Sequence, residues 1–367
     1  MIKNHSLAAV MAIAITATSA ASAQSSIQIY GLLDTAVEHL SNTNAAGDGL
    51  TRMPSIGGGM FPPRIGFRGT EDLGGGLKAI FTLESGFTSD AGTMGQGNRL
   101  FGRQAWVGLS GDFGAVTVGR TYSMLTYSFF DVDNIGPAQF GIGNFDPYLP
   151  NARHDNSIAY KGTFKGVTIG GTYSLGRDAS NAGGPAATNC GGEVATDSKA
   201  CRNWSAMLRY DTPKWGVVAA YDTFNGGAGA SAAFSPTRSD QSDSRMNVGA
   251  WGKVGALKFG GGLVRRENEG NLLTPKSDLV YLDASYFVTT ALLLEGQISR
   301  IDVKNSANDG KMYLLRAVYS LSPRTAVYAM VGRVENKGSA AFPLSAGATV
   351  AIGGSQNGVI TGIKHSF

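Results

Sequence analysis

From Gln24 to Phe367 apolar positions alternate with small or polar ones at a period of two. The alternation comes in segments of about ten residues, the length expected of strands that cross a membrane. SIQIYGLLDTAVEH, GLKAIFTLESGF, GVTIGGTYSLG, WGVVAAYDTF, ALLLEGQISRI and KMYLLRAVYSL are examples. Their β-branched and aromatic residues fit extended chain, and each segment breaks at Gly, Asp, Ser or Pro. One class of connection is short: TEDLGGG, SGDFG, KGTFKG, DTPKWG, GKVGA, FVTTA and LSPRT. The other is long and polar: residues 41–60, 88–99, 122–153, 177–202, 225–244, 266–276, 302–310 and 335–354. The two classes alternate, so seven short turns and eight long loops join sixteen strands. Such alternation predicts antiparallel, up-and-down order with every short turn at one end. An even strand number lets the first and last strands pair, which removes both sheet edges.

A closed sheet of sixteen strands is too wide for side chains to fill, so its two faces meet different solvents. In KMYLLRAVYSL one face carries Tyr313, Leu315, Ala317, Tyr319 and Leu321, while the other mixes Met312, Leu314, Arg316, Val318 and Ser320. In ALLLEGQISRI, Leu292, Leu294, Gly296 and Ile298 oppose Leu293, Glu295, Gln297 and Ser299. The arrangement that satisfies both faces is apolar outward to lipid and polar inward to water. Hydrocarbon admits only helices and closed barrels, because every backbone group must be bonded internally. No run of eighteen apolar residues follows Gln24, which leaves out a spanning helix. The expectation is therefore an all-β fold: a 16-stranded antiparallel transmembrane β-barrel. The near-zero mean hydropathy, −0.04, fits strands that keep half of each face wet.

The chain opens MIKNHSLAAVMAIAITATSAASAQ. Lys3, the apolar run Leu7 to Ile15 and the small residues Ala21-Ser22-Ala23 form a secretory leader. Residues 1–23 are thus expected to be cleaved, leaving 24–367 as a single barrel domain. The formal charge is +4, or +3 once Lys3 is removed, too weak a field to argue for nucleic acid. Cys190 and Cys201, the only cysteines, enclose CGGEVATDSKAC. In an exported chain a disulfide across a small exposed loop is favoured, with two buried free thiols as the alternative. After the leader only His39, His154 and His365 remain. None has the spacing of a Ser/His/Asp site or a metal site, so neither an enzyme nor a metal or other cofactor is expected.

Two adjoining stretches, FPPRIGFRGTEDLGGGLKAIFTLESGF and RLFGRQAWVGLSGDFGAVTVGRTYS, resemble the general porins of Gram-negative bacteria, in particular the betaproteobacterial type. The first strand, SSIQIYGLLDTAVEH, and the ending GIKHSF resemble the same family, so the likeness runs from Ser25 to Phe367. It implies homotrimers in the outer membrane, surrounded by lipid and lipopolysaccharide, that pass small hydrophilic solutes and ions passively. Phe367 resembles the terminal signal read by the outer-membrane assembly machinery.

One segment breaks the rhythm: NIGPAQFGIGNFDPYLPNAR, residues 134–153. It neither alternates like a strand nor suits a helix, and so long a loop usually has a function. In the resembled family the third extracellular loop folds into the lumen and narrows it; here that loop is residues 122–153. The resemblance places a ladder of basic residues opposite it, matching Arg64, Arg103 and Arg153. Strand parity adds Arg68 and Lys78, inward if Ile65, Phe67, Leu77, Ala79 and Phe81 face lipid. Parity alone groups Arg103 with Ala105, Val107 and Leu109 on the outer face. A lipid-facing arginine at mid-depth costs about 2–4 kcal/mol, which favours the interior or the rim. Arg120 is a candidate tether for the loop or a neighbouring subunit. Candidate acids are Glu84, Asp131, Asp133 and Asp146. Gln139, in PAQFG, stands where enterobacterial relatives carry glutamate in Pro-Glu-Phe-Gly. The resemblance implies a general diffusion channel, and few acids opposite several arginines predict that it is mildly anion-selective. The alternative is a channel specific for sugars or organic anions, its loop aromatics (Tyr122, Tyr127, Phe129, Phe130, Phe140, Phe145, Tyr148) acting as a stacking track.

Overall fold

The computed structural model describes residues 26–54, 58–176, 190–228, 230, 236–271 and 275–367. The expected leader, residues 1–23, lies outside them. The strands are β1 (Ser26–Leu40), the short β2 (Leu50–Arg52), β3 (Arg64–Gly74), β4 (Leu77–Gly86), β5 (Gln104–Gly111), β6 (Gly114–Tyr122), β7 (Arg153–Phe164), β8 (Val167–Ser174) and β9 (Asn203–Asp211). They continue as β10 (Trp215–Asn225), β11 (Ser242–Val254), β12 (Leu257–Asn268), β13 (Lys276–Phe287), β14 (Leu292–Val303), β15 (Gly310–Ser320), β16 (Thr325–Asn336) and β17 (Ser355–Ser366). Apart from β2, which lies within the first long loop, these are sixteen barrel strands, each antiparallel to its neighbours. The barrel closes where β1 pairs with β17 from Leu32↔Ser366 to Leu40↔Gly358, and with β3 from Ser26↔Thr70 to Leu32↔Arg64.

Residues 75–76, 112–113, 165–166, 212–214, 255–256, 288–291 and 321–324 make the short turns. In TEDLGGG the strand continues to Gly74, so the reversal is tighter than the sequence pattern suggests. Gly74, Gly75 and Gly76 all have φ between 60° and 87°, a region that residues with a Cβ rarely enter. Two loops expected to be long are short: only 269–275 separate β12 from β13, and 304–309 separate β14 from β15. There the strands run further outward, with Arg265–Asp278 (2.8 Å) and Arg300–Asp309 (3.1 Å) ion pairs along the rim.

The outer face is apolar as expected. Leu208, Leu282, Ile298, Leu315 and Val331 project from neighbouring strands and are exposed. The inner face departs from a simple polar lining. Met312, Leu314, Met330, Val334 and Ile360 point inward, yet all are buried. They meet Leu125, Val132, Ile135, Phe140, Ile142, Phe145 and Leu149, from the segment between β6 and β7. That segment, loop L3 (residues 123–152), lies inside the barrel and forms its core with one half of the wall. The mixed inner faces of β14 and β15 therefore record a protein contact, not a weak alternation.

Candidate functional site

Loop L3 begins with one helical turn, Met124–Ser128, capped by Ser123 Oγ accepting from the Thr126 N–H. Two short 3-10 turns, Ile142–Asn144 and Leu149–Asn151, are the only helical pieces of the following segment. The loop crosses the wall from β9 to β17 and is pinned at successive points. Met124 N–H donates to Ser205 Oγ (2.8 Å), and Asn247 Nδ2 donates to Ser128 Oγ (2.8 Å). Val132 settles over Gly249 and Gly260, where a Cβ would come within 2.6 Å and 2.1 Å of it. Arg316 donates to the carbonyls of Ile135 (3.0 Å) and Asn134 (3.2 Å) while paired with Glu295 (2.7 Å). Phe140 is fully buried on the cross-strand pair Gly332 and Gly358. Asp146 takes both ends of the Arg245 guanidinium, at 2.6 Å and 3.1 Å. Although burial opposes its ionisation, Arg245 and Arg266 hold this carboxyl down to about 2.

The sequence candidates divide around this loop. Glu84 (β4), Arg103, Arg64 (β3) and Tyr122 come together on the wall beside the start of L3, where Tyr122 meets the Tyr127 ring. Arg103 Nε donates to Glu84 Oε1 at 2.7 Å and its Nη2 to Tyr122 Oη at 2.7 Å. Arg64 lies 3.8 Å from Glu84, and Tyr30 donates to Glu84 at 2.9 Å. Arg103 sits one residue ahead of β5, where the chain bends, so strand parity does not govern it and its side chain is buried inside. Arg68 is two inward positions further along β3, beyond Gly66, bonded to Gln28 (2.9 Å) and lying over the Tyr30 ring. Arg153 is buried at the foot of L3 against the Tyr122 ring, 4.9 Å from its centroid. Lys78 is not part of this group. It pairs across to Asp72 beside the first turn, six residues and so about 20 Å along β4 from Glu84.

The acids and Gln139 also separate. Asp131 stands on the lumen edge of L3, its side chain 55% exposed, between Arg209 (3.0 Å) and Lys258 (3.2 Å). Asp133 faces the wall and accepts from the Gly136 N–H (3.0 Å) and Gln297 Nε2 (2.9 Å). Burial pushes its carboxyl up to about 6 despite those donors. Gln139 is not on the lumen: its amide donates to Ser345 Oγ (2.8 Å) and the Ala346 carbonyl (2.7 Å), joining L3 to the last loop. Arg120 bonds the Gly102 carbonyl (2.8 Å) and pairs with Asp155, which also takes Arg99 (3.2 Å). It ties the second long loop to the base of β7. Cys190 and Cys201 are joined in a disulfide with Cα atoms 5.4 Å apart. Phe367 exchanges backbone bonds with Gly31 (3.0 and 3.1 Å), and its ring occupies the space a Cβ at Gly31 would need.

Several residues of the site escaped sequence reasoning. Asp34 accepts the N–H groups of Gly59 (3.0 Å), Met60 (3.0 Å) and Phe61 (2.9 Å), as well as the Tyr328 hydroxyl. It folds the end of the first loop into the lumen beside L3, where Gln139 N–H meets the Gly59 carbonyl at 3.0 Å. Glu38 does the same for Arg52 (2.5 Å) and Ser345 (2.8 Å). Both acids sit at inward parity in GLLDTAVEH, and that was the available signal. His154 does not line the pore. It is fully buried, 3.1 Å from Asp222 and 2.7 Å from Thr172 Oγ1, which in turn reaches Ser205 Oγ at 2.6 Å. This has the connectivity of a catalytic triad, but it lies behind L3, closed to any substrate, and serves as another anchor.

Comparison with known proteins matches this geometry. A family model described as Gram-negative porin matches residues 7–339. An outer membrane porin protein of Bordetella pertussis is 30% identical over 358 residues, 86% of this chain and 91% of that protein. Outer membrane porin protein 32 of Delftia acidovorans is 30% identical over 374 residues, 96% and 97% of the two chains. Among solved structures, an anion-selective porin from Comamonas acidovorans superposes with a TM-score of 0.75 at 25% identity, covering 94% of this chain and 100% of that one. With its closed sixteen-stranded barrel and a loop folded into the lumen, the chain belongs to the Gram-negative porin family and is a channel of the outer membrane.

Proposed function

We propose that the mature chain is a general diffusion porin with mild anion preference, acting as a homotrimer in lipid and lipopolysaccharide. Residues 1–23 would direct export, and Phe367 would present the strand end to the assembly machinery. The observation that carries the anion preference is an imbalance in how lumen charges are engaged. The inward carboxylates are paired or enclosed: Glu84 is taken by Arg103, Asp146 by Arg245, Glu295 by Arg316 and Asp34 by backbone N–H groups, while Asp133 and Asp283 face each other behind L3, bonded by Gln297 and Asn134 amides. Several cations are not neutralised in this way. Arg68 bonds a neutral amide, Lys161 lies 4.0 Å from the Tyr127 ring centroid and Lys364 lies 5.3 Å from that of Phe61. Asp131, the exposed acid of L3, is flanked by two cations. A lumen with such a surplus favours anions, and the anion selectivity of the Comamonas relative agrees with it.

Reversal potentials in a KCl gradient test this. The wild type is expected to prefer chloride modestly. Arg64→Ala with Arg68→Ala should move the potential toward cations, whereas Arg153→Ala, at a buried position, should move it less. A clear potassium preference in the wild type would overturn the reading. The substrate-specific alternative finds less support, because Phe140, Phe145 and Tyr148 are buried in the wall and form no continuous lumen track.

A further inference from the structure

Under L3, on the inner face of β13 and β14, four side chains form a block two strands wide. Asp283 pairs across to Gln297, and Tyr281 pairs across to Ser299. All four are more than nine-tenths buried: Asp283 is 6% exposed, Gln297 3%, Ser299 6% and Tyr281 0%. Loop residues Asp133 and Asn134 cover them, Asn134 Nδ2 donating to Asp283 Oδ1 and Gln297 Nε2 donating to Asp133 Oδ1 (2.9 Å).

Two features of this block are costly as they stand. Asp283 Oδ2, Gln297 Oε1 and Ser299 Oγ are buried oxygens with no partner, and buried polar atoms normally have one. The charge is also uncompensated. Arg316, the basic group packed against this part of L3, is paired with Glu295 at 2.7 Å. Lys258, from β12, is turned to Asp131 at 3.2 Å. Among the described residues neither Asp133 nor Asp283 forms an ion pair, and Arg316, whose charge reaches Asp133, is committed to Glu295.

The geometry points to a site for a hard divalent cation, calcium by its ligand chemistry, between L3 and the wall, with Asp133, Asp283, Gln297 and Ser299 as its oxygen donors. Calcium takes carboxylate, amide and hydroxyl oxygens in flexible geometry, and sites with few charged ligands bind in the range of about 10⁻⁴–10⁻³ M. Two carboxylates match a divalent charge. Bound there, the ion would clamp the Asp133–Gly136 turn of L3 to β13 and β14, fixing the lumen edge next to Asp131. Sequence spacing could not reveal it, because Asp133 and Asp283 are 150 positions apart and meet only through loop insertion.

Terbium luminescence on the purified, detergent-folded chain tests the site, since buried Tyr281 lies beside it and can sensitise a bound lanthanide. Titrated with TbCl3, the wild type should give saturable emission on tyrosine excitation, reversed by millimolar CaCl2. Asp283→Asn and Asp133→Asn should each weaken terbium binding at least tenfold, while Tyr281→Phe should bind equally by calorimetry with dimmer emission. Each variant is first checked for heat-modifiable migration, which reports an intact barrel. Emission unchanged in both asparagine variants, or insensitive to calcium, would overturn the assignment. So would an infrared carbonyl band of a protonated carboxyl that is lost in Asp283→Asn and unaffected by calcium, because a shared proton would then neutralise the pair.

Discussion

Removing the Phe140 ring is the sharpest test of how L3 is held. Phe140 is fully buried at the bend of the loop, and its ring stands on Gly332 and Gly358, at 3.2 Å and 3.0 Å from the positions their Cβ atoms would take. Leu40, Leu314 and Leu344 line the same seat. Phe140→Ala leaves a cavity there, and such truncations cost about 3–5 kcal/mol. The strand pairings that close the barrel do not involve this residue, so the loss falls on the docking of the loop tip. At about 1.4 kcal/mol per decade, the ratio of undocked to docked tip should rise about a hundredfold to a few thousandfold. Single-channel recordings of Phe140→Ala should then show excess open-channel noise and brief steps of altered conductance. Hydrogen exchange around residues 138–146 should accelerate, and Phe140→Leu should recover most of the difference. Wild-type noise together with wild-type exchange in Phe140→Ala would refute the idea that burial of this ring holds the constriction in place.

Three further outcomes follow from the same contacts. Arg245→Met leaves buried Asp146 and Asp243 with Arg266 as their remaining cation, at 4.0 Å and 2.8 Å, a loss below the about 3–5 kcal/mol of a fully unpaired buried charge that should still appear as faster exchange at 144–149. Asp146 titrates near 2 in the folded chain, below the unfolded value of about 3.9. Its contribution to L3 docking is therefore complete above about pH 4 and disappears as pH falls through about 2; acid titration of channel noise checks this. Glu84→Gln frees Arg103 and Arg64 from their carboxylate and should shift the KCl reversal potential further toward chloride, an unchanged potential counting against Glu84 as a lumen charge.

Much of the fold was legible because a membrane strand reports its environment every second residue. The alternating faces and the alternation of short and long connections were sufficient for sixteen strands and marked residues 134–153 as an exception, while the insertion of that third loop came from the family resemblance. The inward side of Arg64 and Arg68 followed from parity. Arg103 did not, since it lies just outside β5 where the chain bends and alternation carries no information. Gln139 had the right sequence context for a lumen residue, yet its amide is spent on Ser345 and Ala346. Phe140, Phe145 and Tyr148, three of the aromatics that looked like a solute track, belong to the loop's own packing surface.

The sequence alone thus determined that the chain closes into a lipid-facing barrel wide enough to need a plug, because hydrocarbon imposes a periodic rule on each strand locally. Only the tertiary structure decided which half of the inner wall is water and which is protein. That depends on where L3 lies, and its seat is made of residues some 200 positions away, such as Leu344 under Asn144, and further, such as Gly358 under Phe140. A side chain's charge can be read in one dimension. Whether it meets a partner, a loop or the open lumen is settled only when the barrel has closed around it.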